Sequence, residues 1–495
     1  MAKISKMQFV KGVVWKTLEQ FSARGAAFLM SLILARLLHP DDYGLLALTG
    51  VFFQFANILV DGGFGTALVQ KKDADDYDYS SVMVISMSIA VILYAVIFAA
   101  APFIADYYAE PELTAVMRIS GLSLLISAYA AKRSAYITRN LMFKLAFTCN
   151  IIATIASGLL SIAAAYFGAG VWALVVHNLA QQLIGTVLVV ILLKWNCRIC
   201  FKWERVREML RFSVGVVTAS FVNYFSTSLY NLVIGKKYSV EDLGYYSKGG
   251  EFPMQVSLYT FGTISSVLLP TIASHKDDME KVKRIIRRVV GVTSFLISPL
   301  MVGLAVTAPE AVEVLYTAKW LPIVPVLQSN CLYYLATPFM LINVQVFFAL
   351  GHSAMRLKTE IIRMVMMIGG LLVFAFVFDF NINQLAWVCA VVTTLHAWIT
   401  FVELKKMVPY KTKEFLVDFV VPLFWAVVMG AGVDFLRAFG LPALGIHGVF
   451  VKLIIEVVAG MALYAAFAVV FKLSGYREMM DIVREMRGRK AKKEE

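Results

Sequence analysis

Hydrophobic positions run along this chain in long blocks, with charged or Gly/Pro-bearing punctuation between them. Fourteen apolar runs stand out, near 18–38, 45–68, 82–104, 113–131, 146–167, 170–193, 210–234, 252–273, 285–308, 325–350, 361–380, 384–402, 416–438 and 448–472. Each approaches the roughly 20 residues an α-helix needs to cross about 30 Å of hydrocarbon. The blocks are continuous rather than alternating every second residue, so they predict helices and not the strands of a membrane β-barrel. The seventh and tenth runs carry the most polar residues.

Composition agrees with that pattern. Of 495 residues 60% are hydrophobic and only 16% charged, and the mean hydropathy is +0.74. Too few charges remain to cover the surface of a water-soluble protein of this length. The expected fold class is all-α and integral to the membrane, with about 14 transmembrane helices. The N-terminal MAKISKMQFVKG lacks a signal-peptide core, so the first run is expected to stay as a mature span.

The net charge of +13 raises nucleic acid as a partner, and the placement of the charge argues against it. With alternating spans and a cytoplasmic start, most of the Lys and Arg residues fall on one side. They sit in KWNCRICFKWERVREMLR (194–211), KDDMEKVKRIIRR (276–288), KKMVPYKTK (405–413) and the tail REMRGRKAKKEE. The opposite loops hold DYYAEPE (106–112) and PEAVE (309–313). This bias places both termini in the cytoplasm, and attraction to anionic membrane lipids is a secondary effect. Cys197 and Cys200 form a lone CxxC without a second pair or a nearby His, so no metal site is expected. No Walker-type loop or other cofactor motif is present, and the loops between runs are too short for a catalytic domain.

A repeat organises the chain. LILARLLHPDDYGLL (32–46) returns as LVIGKKYSVEDLGYY (232–246), offset by 200, so that Leu32, Arg36, Asp42 and Gly44 answer to Leu232, Lys236, Asp242 and Gly244. Six runs separate the copies, an even number, which predicts two lobes of the same orientation related by a pseudo-two-fold axis along the membrane normal. GAGVWALVV (168–176) and INQLAWVCAVV (382–392) are a weaker echo. The expected division is 1–200 (spans 1–6), 201–408 (spans 7–12), 409–473 (spans 13 and 14, without counterparts) and a basic cytoplasmic tail over 474–495. In each copy the turn starts a second helix. Pro40 takes the first helical position with Asp41 and Asp42 behind it, while Ser239 caps with Asp242 three residues on.

Polar residues inside spans are costly in lipid and point to a cavity or to a partner helix. The candidates are Glu19, Gln20, Arg24, Asp61, Arg118, His177, Gln181, Asn223 and Asn231, with Asn57, Gln182, Thr227, Asn343 and His396 beside them. Gln20 and Arg24, Asn57 and Asp61, and His177 and Gln181 are each four apart and share a helical face. Such stripes suit a wet cavity between lobes. Each is equally served by an interhelical hydrogen bond or ion pair, and Arg118 near a span end can snorkel. Lys452 and Glu456, also four apart, read as an intrahelical ion pair. A cation in a cavity with titratable neighbours describes a transporter of an anionic ligand, with H+ or Na+ as the coupling ion.

The ordered set LARLLHPDDYGLLAL, DGGFGTALVQKKD, RSAYITRNLMFK, YFGAGVWALVV and NLVIGKKYSVEDLGYYSKGGEFP resembles the Wzx-type polysaccharide flippases. These belong to the colanic- and teichuronic-acid exporter-like branch of the multidrug/oligosaccharidyl-lipid/polysaccharide exporter superfamily. The resemblance implies a MATE-like pair of six-helix lobes plus two C-terminal helices in the cell (inner) membrane. It also implies alternating-access flipping of undecaprenyl-diphosphate-linked oligosaccharide, alongside polysaccharide polymerase and assembly proteins. On that basis Arg24 is the first candidate for a diphosphate contact, and Lys132, Arg133 and Arg139 for substrate capture at the inner mouth; the last three also fit ordinary positive-inside charges. Many relatives place an Arg and an Asp in span 7 where this chain has Thr227 and Tyr230. The rivals are a MATE-like drug/cation antiporter and a membrane polysaccharide polymerase or ligase; an enzyme of the latter kind needs a large outer loop, which this chain lacks.

Arg24→Ala is expected to abolish flipping of a lipid-diphosphate sugar while the protein remains folded and inserted. Wild-type transport by that variant removes Arg24 from the site.

Overall fold

The computed structural model describes residues 25–71, 74–193, 195 and 200–480. Among them there is helix and no strand, as the backbone must be when it satisfies its own N–H and C=O groups in lipid. In chain order the helices are α1 (Gly25–Leu37), α2 (Pro40–Asp61), α3 (Phe64–Gln70), α4 (Asp76–Tyr108), α5 (Glu112–Ser120), α6 (Leu122–Arg139), α7 (Phe143–Tyr166), α8 (Val171–Leu193), α9 (Trp203–Lys237), α10 (Val240–Gly249), α11 (Glu251–Ala273), α12 (Met279–Val306), α13 (Ala308–Leu315), α14 (Val324–Ala349), α15 (Ser353–Leu372), α16 (Ile382–Leu404), α17 (Thr412–Phe435), α18 (Leu441–Ala443) and α19 (Val449–Val470).

The described part of each predicted apolar run is helical, with the second run broken at Gly62 and Gly63 and the fourth at Gly121, and membrane-crossing helices follow by length and composition. Eleven are long and apolar enough among the described residues. The helices α9 and α11, at the seventh and eighth runs, are not among these eleven. The first run is described only from Gly25.

The chain forms two compact units, Met1–Ser247 and Lys248–Glu495. Within the first, α7 lies along α8 through a stripe of small residues, Cys149, Ala153, Ser157, Ser161 and Ala165, which lets two backbones approach closely. One end of this unit is tied by polar contacts. Asp75 and Asp78 cap each other at the start of α4, Asp78 pairs with Lys71 at 3.0 Å, and the Cys200 and Lys202 N–H groups donate to Ser80 and Ser81.

The twin turns start helices as expected. The His39 N–H donates to Asp42 Oδ2 at 2.8 Å, and the Asp242 N–H donates to Ser239 Oγ at 2.9 Å. They also meet. A β-carbon on Gly44 would overlap the Val240 carbonyl, and one on Gly244 would overlap the Pro40 carbonyl. These are equivalent positions, so the first turn of each helix lies over the glycine of the other in a local two-fold arrangement. Only glycine leaves room for that crossing.

In the second unit α14 packs on α16 and α12 on α17. Although the last two spans have no counterpart in the repeat, α17 is locked in place by a buried network. Asp418, 4% exposed, accepts two hydrogen bonds from Arg287 and one from the Tyr410 hydroxyl, while Glu414 pairs with Lys283 and Arg287. A carboxylate at this depth is held only by such complete pairing. The expected Lys452–Glu456 pair is not formed. Among the described residues neither Glu456 oxygen has a hydrogen-bond partner, because α19 turns Glu456 inward against α12, α13 and α17 while the half-buried Lys452 lies in the helix's first turn.

Gly44→Ala is expected to cost ~1–3 kcal/mol through overpacking. Gly50→Ala on the same helix, where a β-carbon meets nothing within 4 Å, is expected to be neutral or stabilising by roughly 0.5–1 kcal/mol. Thermal unfolding in detergent separates the two.

Candidate functional site

A cavity of about 620 Å³ opens in the first unit between α2, α3, α6 and α8. Its floor is made by small residues of α6: Ala130, Ala131 and Ala135 leave space, and Ser127, Ser134 and Thr138 present hydroxyls. Asn57 and Asp61 enter from α2, one turn apart, and Gln182 and Thr186 from α8. Ser127 Oγ donates to Asn57 Oδ1 at 2.9 Å, which fixes the amide and ties α6 to α2. A second cavity of about 220 Å³ lies on the other flank of α2, lined by Gln54, Asn57, Ile58, Asp61, Gly63, Val217 and Ser220. Asn57 and Asp61 therefore border both spaces.

Local sequence explains the placement. α2 ends in Gly62 and Gly63, both with positive φ (54° and 68°), and this pair turns the chain sharply into α3. Asp61 is thus the last residue of α2, exposed at the cavity edge. It is the one charged side chain lining either cavity among the described residues. The rest of the polar wall is hydroxyl and amide, able both to donate and to accept. A neutral, two-way wall of this kind suits a polyhydroxylated ligand better than a point charge.

Of the residues singled out from sequence, Asp61 lines the cavity. Gln181 does not: its side chain donates to Thr154 Oγ1 at 3.3 Å and joins α8 to α7. His177 lies on the same flank, against the Ser157 backbone. Arg118 stacks on Phe98 at 4.3 Å and donates to its carbonyl oxygen, a contact between α5 and α4. Asn231 is half-buried on α9 and lines neither cavity. Lys132 and Arg133 are buried, 4% and 6% exposed, and line neither of these two cavities. Arg133 covers the Tyr129 ring at 4.5 Å and donates to its hydroxyl, while its Nε and Nη1 have no hydrogen-bond partner among the described residues. Arg139 donates to the Leu68 carbonyl and braces α3. Glu19, Gln20 and Arg24 lie outside the described residues, as does the side chain of Asn223.

Sequence reasoning left out Ser127, Ser134, Thr138 and Thr186, and set Gln182 aside. The available signal was SAYAAKRSAYIT (127–138), where small and hydroxyl residues recur at helical spacing. Hydroxyls are common in membrane helices because they bond back to their own backbone, as Ser127 also does to Leu124, and so the stripe does not stand out.

An all-helical bundle with many membrane-crossing segments and a polar cavity is the architecture of a multi-pass membrane transporter. The chain matches the polysaccharide biosynthesis protein family over residues 33–325, more than half its length, and it belongs to that family. It is 24% identical over 97% of both chains to a succinoglycan biosynthesis transport protein, ExoT, of Rhizobium meliloti. It is 23% identical to the teichuronic acid biosynthesis protein TuaB of Bacillus subtilis, with 69% of this chain and 71% of that one covered. Among solved structures the fold is similar to the inward closed conformation of the lipid II flippase MurJ, with a TM-score of 0.74 at 15% identity, over 94% of this chain and all of that one. A MATE-family transporter of the MOP superfamily in its inward-facing conformation matches with a TM-score of 0.59 at 15% identity, over 77% of this chain and 94% of that one.

Ser134→Leu combined with Thr138→Leu fills the cavity and is expected to stop transport while the protein stays monodisperse. Gln181→Ala, which removes an interhelical bond, is expected to cost about 0.5–1.5 kcal/mol of stability and leave transport intact. Transport assays paired with thermal unfolding check both.

Proposed function

We propose that this protein flips a polyprenyl-diphosphate-linked oligosaccharide from the cytoplasmic to the outer leaflet of the cytoplasmic membrane by alternating access, with both termini in the cytoplasm. The observation that carries the reading is the hydroxyl- and amide-lined cavity in an otherwise apolar bundle. It offers sugar hydroxyls exchangeable donors and acceptors at a depth where an unsolvated glycan would otherwise lose its hydrogen bonds. Membership of a polysaccharide biosynthesis family and a transport protein as a full-length relative support the same reading. Asn57 and Asp61, bordering two cavities on opposite flanks of α2, suit a ligand handed from one space to the other.

The diphosphate needs cations. Arg24 remains the first candidate, and Arg133, with Nε and Nη1 unbonded among the described residues, is the second. Its burial keeps it out of the cavity as seen here, so its contact belongs to a later step of the cycle.

Reconstitution into liposomes with fluorescent lipid-linked oligosaccharide, with and without an H+ or Na+ gradient, tests the proposal. Label reaching the opposite leaflet faster than in protein-free vesicles, and slowed by Asp61→Leu, is the expected result. Absence of such movement together with export of a cationic dye would favour the drug/cation antiporter, a reading that an acidic rather than basic cavity edge also suits.

A further inference from the structure

The second unit contains a cavity that the sugar path leaves unused. It has a volume of about 540 Å³ and lies between α11, α12, α13, α17 and α19. Its walls are aliphatic and aromatic side chains such as Phe252, Leu296, Met429 and Leu453. Three polar side chains interrupt them: Thr307, whose hydroxyl donates to the Gly303 carbonyl, and two on α19. Glu456 is 1% exposed and Tyr464 6% exposed; both line the cavity, and neither Glu456 oxygen nor the Tyr464 hydroxyl has a hydrogen-bond partner among the described residues.

A buried carboxylate without donors, in a span of a membrane protein, is a costly feature. Arg437 and Lys452 act on it through space, but neither donates a hydrogen bond to it. Arg437 is engaged by Glu310 and Asp434 and by the Val306 carbonyl, and Lys452 makes no ion pair with Glu456 although it lies one turn away. Glu310 and Asp434 add negative charge around the same helix ends. Three acids, Glu310, Asp434 and Glu456, thus share this region with two cations, Arg437 and Lys452, and the acid left without a donor faces an apolar slot. Glu456 and Tyr464 are eight residues apart, so about 12 Å of slot separates the two unsatisfied groups along the helix.

We propose that this cavity binds an amphiphilic organic monocation, with a protonated amine on Glu456 and an apolar body lying along α19 toward the Tyr464 hydroxyl. Charge complementarity selects this occupant. A bare acyl chain would fill the volume and leave both polar groups unsatisfied, and an anion would be repelled. The inference is independent of the sugar-flipping reading, because no residue of the two first-unit cavities takes part.

The test uses monodansylcadaverine, a fluorescent lipophilic primary amine, and its neutral analogue in which a methyl group replaces the amine. Both are titrated into the full-length protein in phosphatidylcholine nanodiscs. Saturable binding of the amine, at least about tenfold tighter than the neutral analogue, is expected for the wild type. Glu456→Gln should remove that difference and leave the weak binding of the neutral analogue unchanged. Val457→Trp, which fills the slot and keeps the carboxyl, should weaken both probes. Equal affinity for the two probes in the wild type overturns the proposal without recourse to any variant, as does unchanged amine binding in a folded Glu456→Gln protein. Including phosphatidylethanolamine in the nanodiscs distinguishes the sources of the amine: displacement of the probe points to a lipid headgroup, and persistence points to a soluble amine.

Discussion

The close crossing of α2 and α10 at Gly44 and Gly244 is the contact on which the first unit's arrangement turns. Each glycine admits the carbonyl of the other helix's first residue, Val240 over Gly44 and Pro40 over Gly244. No other residue type permits this, because a single β-carbon on either side would overlap backbone, which cannot swing away as a side chain can. The acids that start these helices, Asp42 and Asp242, are bound into their own caps. They shape the turn and the glycines bring the turns together.

From that crossing the geometry of the cavity follows. α2 descends from Pro40 to the paired glycines at 62 and 63, so Asn57 and Asp61 reach the lower part of the unit on one face. The small residues of α6 face them, and the Ser127–Asn57 hydrogen bond sets the separation. Where α6 carries its large cations, Lys132 and Arg133, it turns them away from the cavity, and Arg133 finds the face of Tyr129 instead. One helix thus presents a polar but uncharged surface to the cavity and stores positive charge behind it. Such a wall suits reversible binding, since many weak exchangeable hydrogen bonds dissociate more readily than a desolvated ion pair.

The second unit solves a different problem. Its buried Asp418 is paired with the partly exposed Arg287, which also meets Glu414, and these pairs hold α17 against α12, while Glu456, two helices further on, has no hydrogen-bond partner among the described residues. The same residue type in one unit therefore serves as a lock where donors converge on it and as an open site where they do not.

Much of this was legible in the chain itself. The apolar runs had to become helices, because no other structure satisfies the backbone in lipid without an edge. The twin turns announced the repeat and their own caps, because capping is decided within four residues. The Asn57/Asp61 stripe followed from helical period. What the sequence by itself could not determine is which face meets which neighbour. Gln181 and Gln182 are adjacent, yet the 100° between successive helical residues sends one to Thr154 on α7 and the other into the cavity. Lys452 and Glu456 have the spacing of an ion pair, and the packing of α19 parts them. Ser134 and Thr138 carry no distinctive pattern until α2 and α8 close a cavity over them. Local propensity and period act along the chain and can be read there, whereas rotation of each helix about its own axis is set by the sum of its contacts with all the others, and only the tertiary structure decides it.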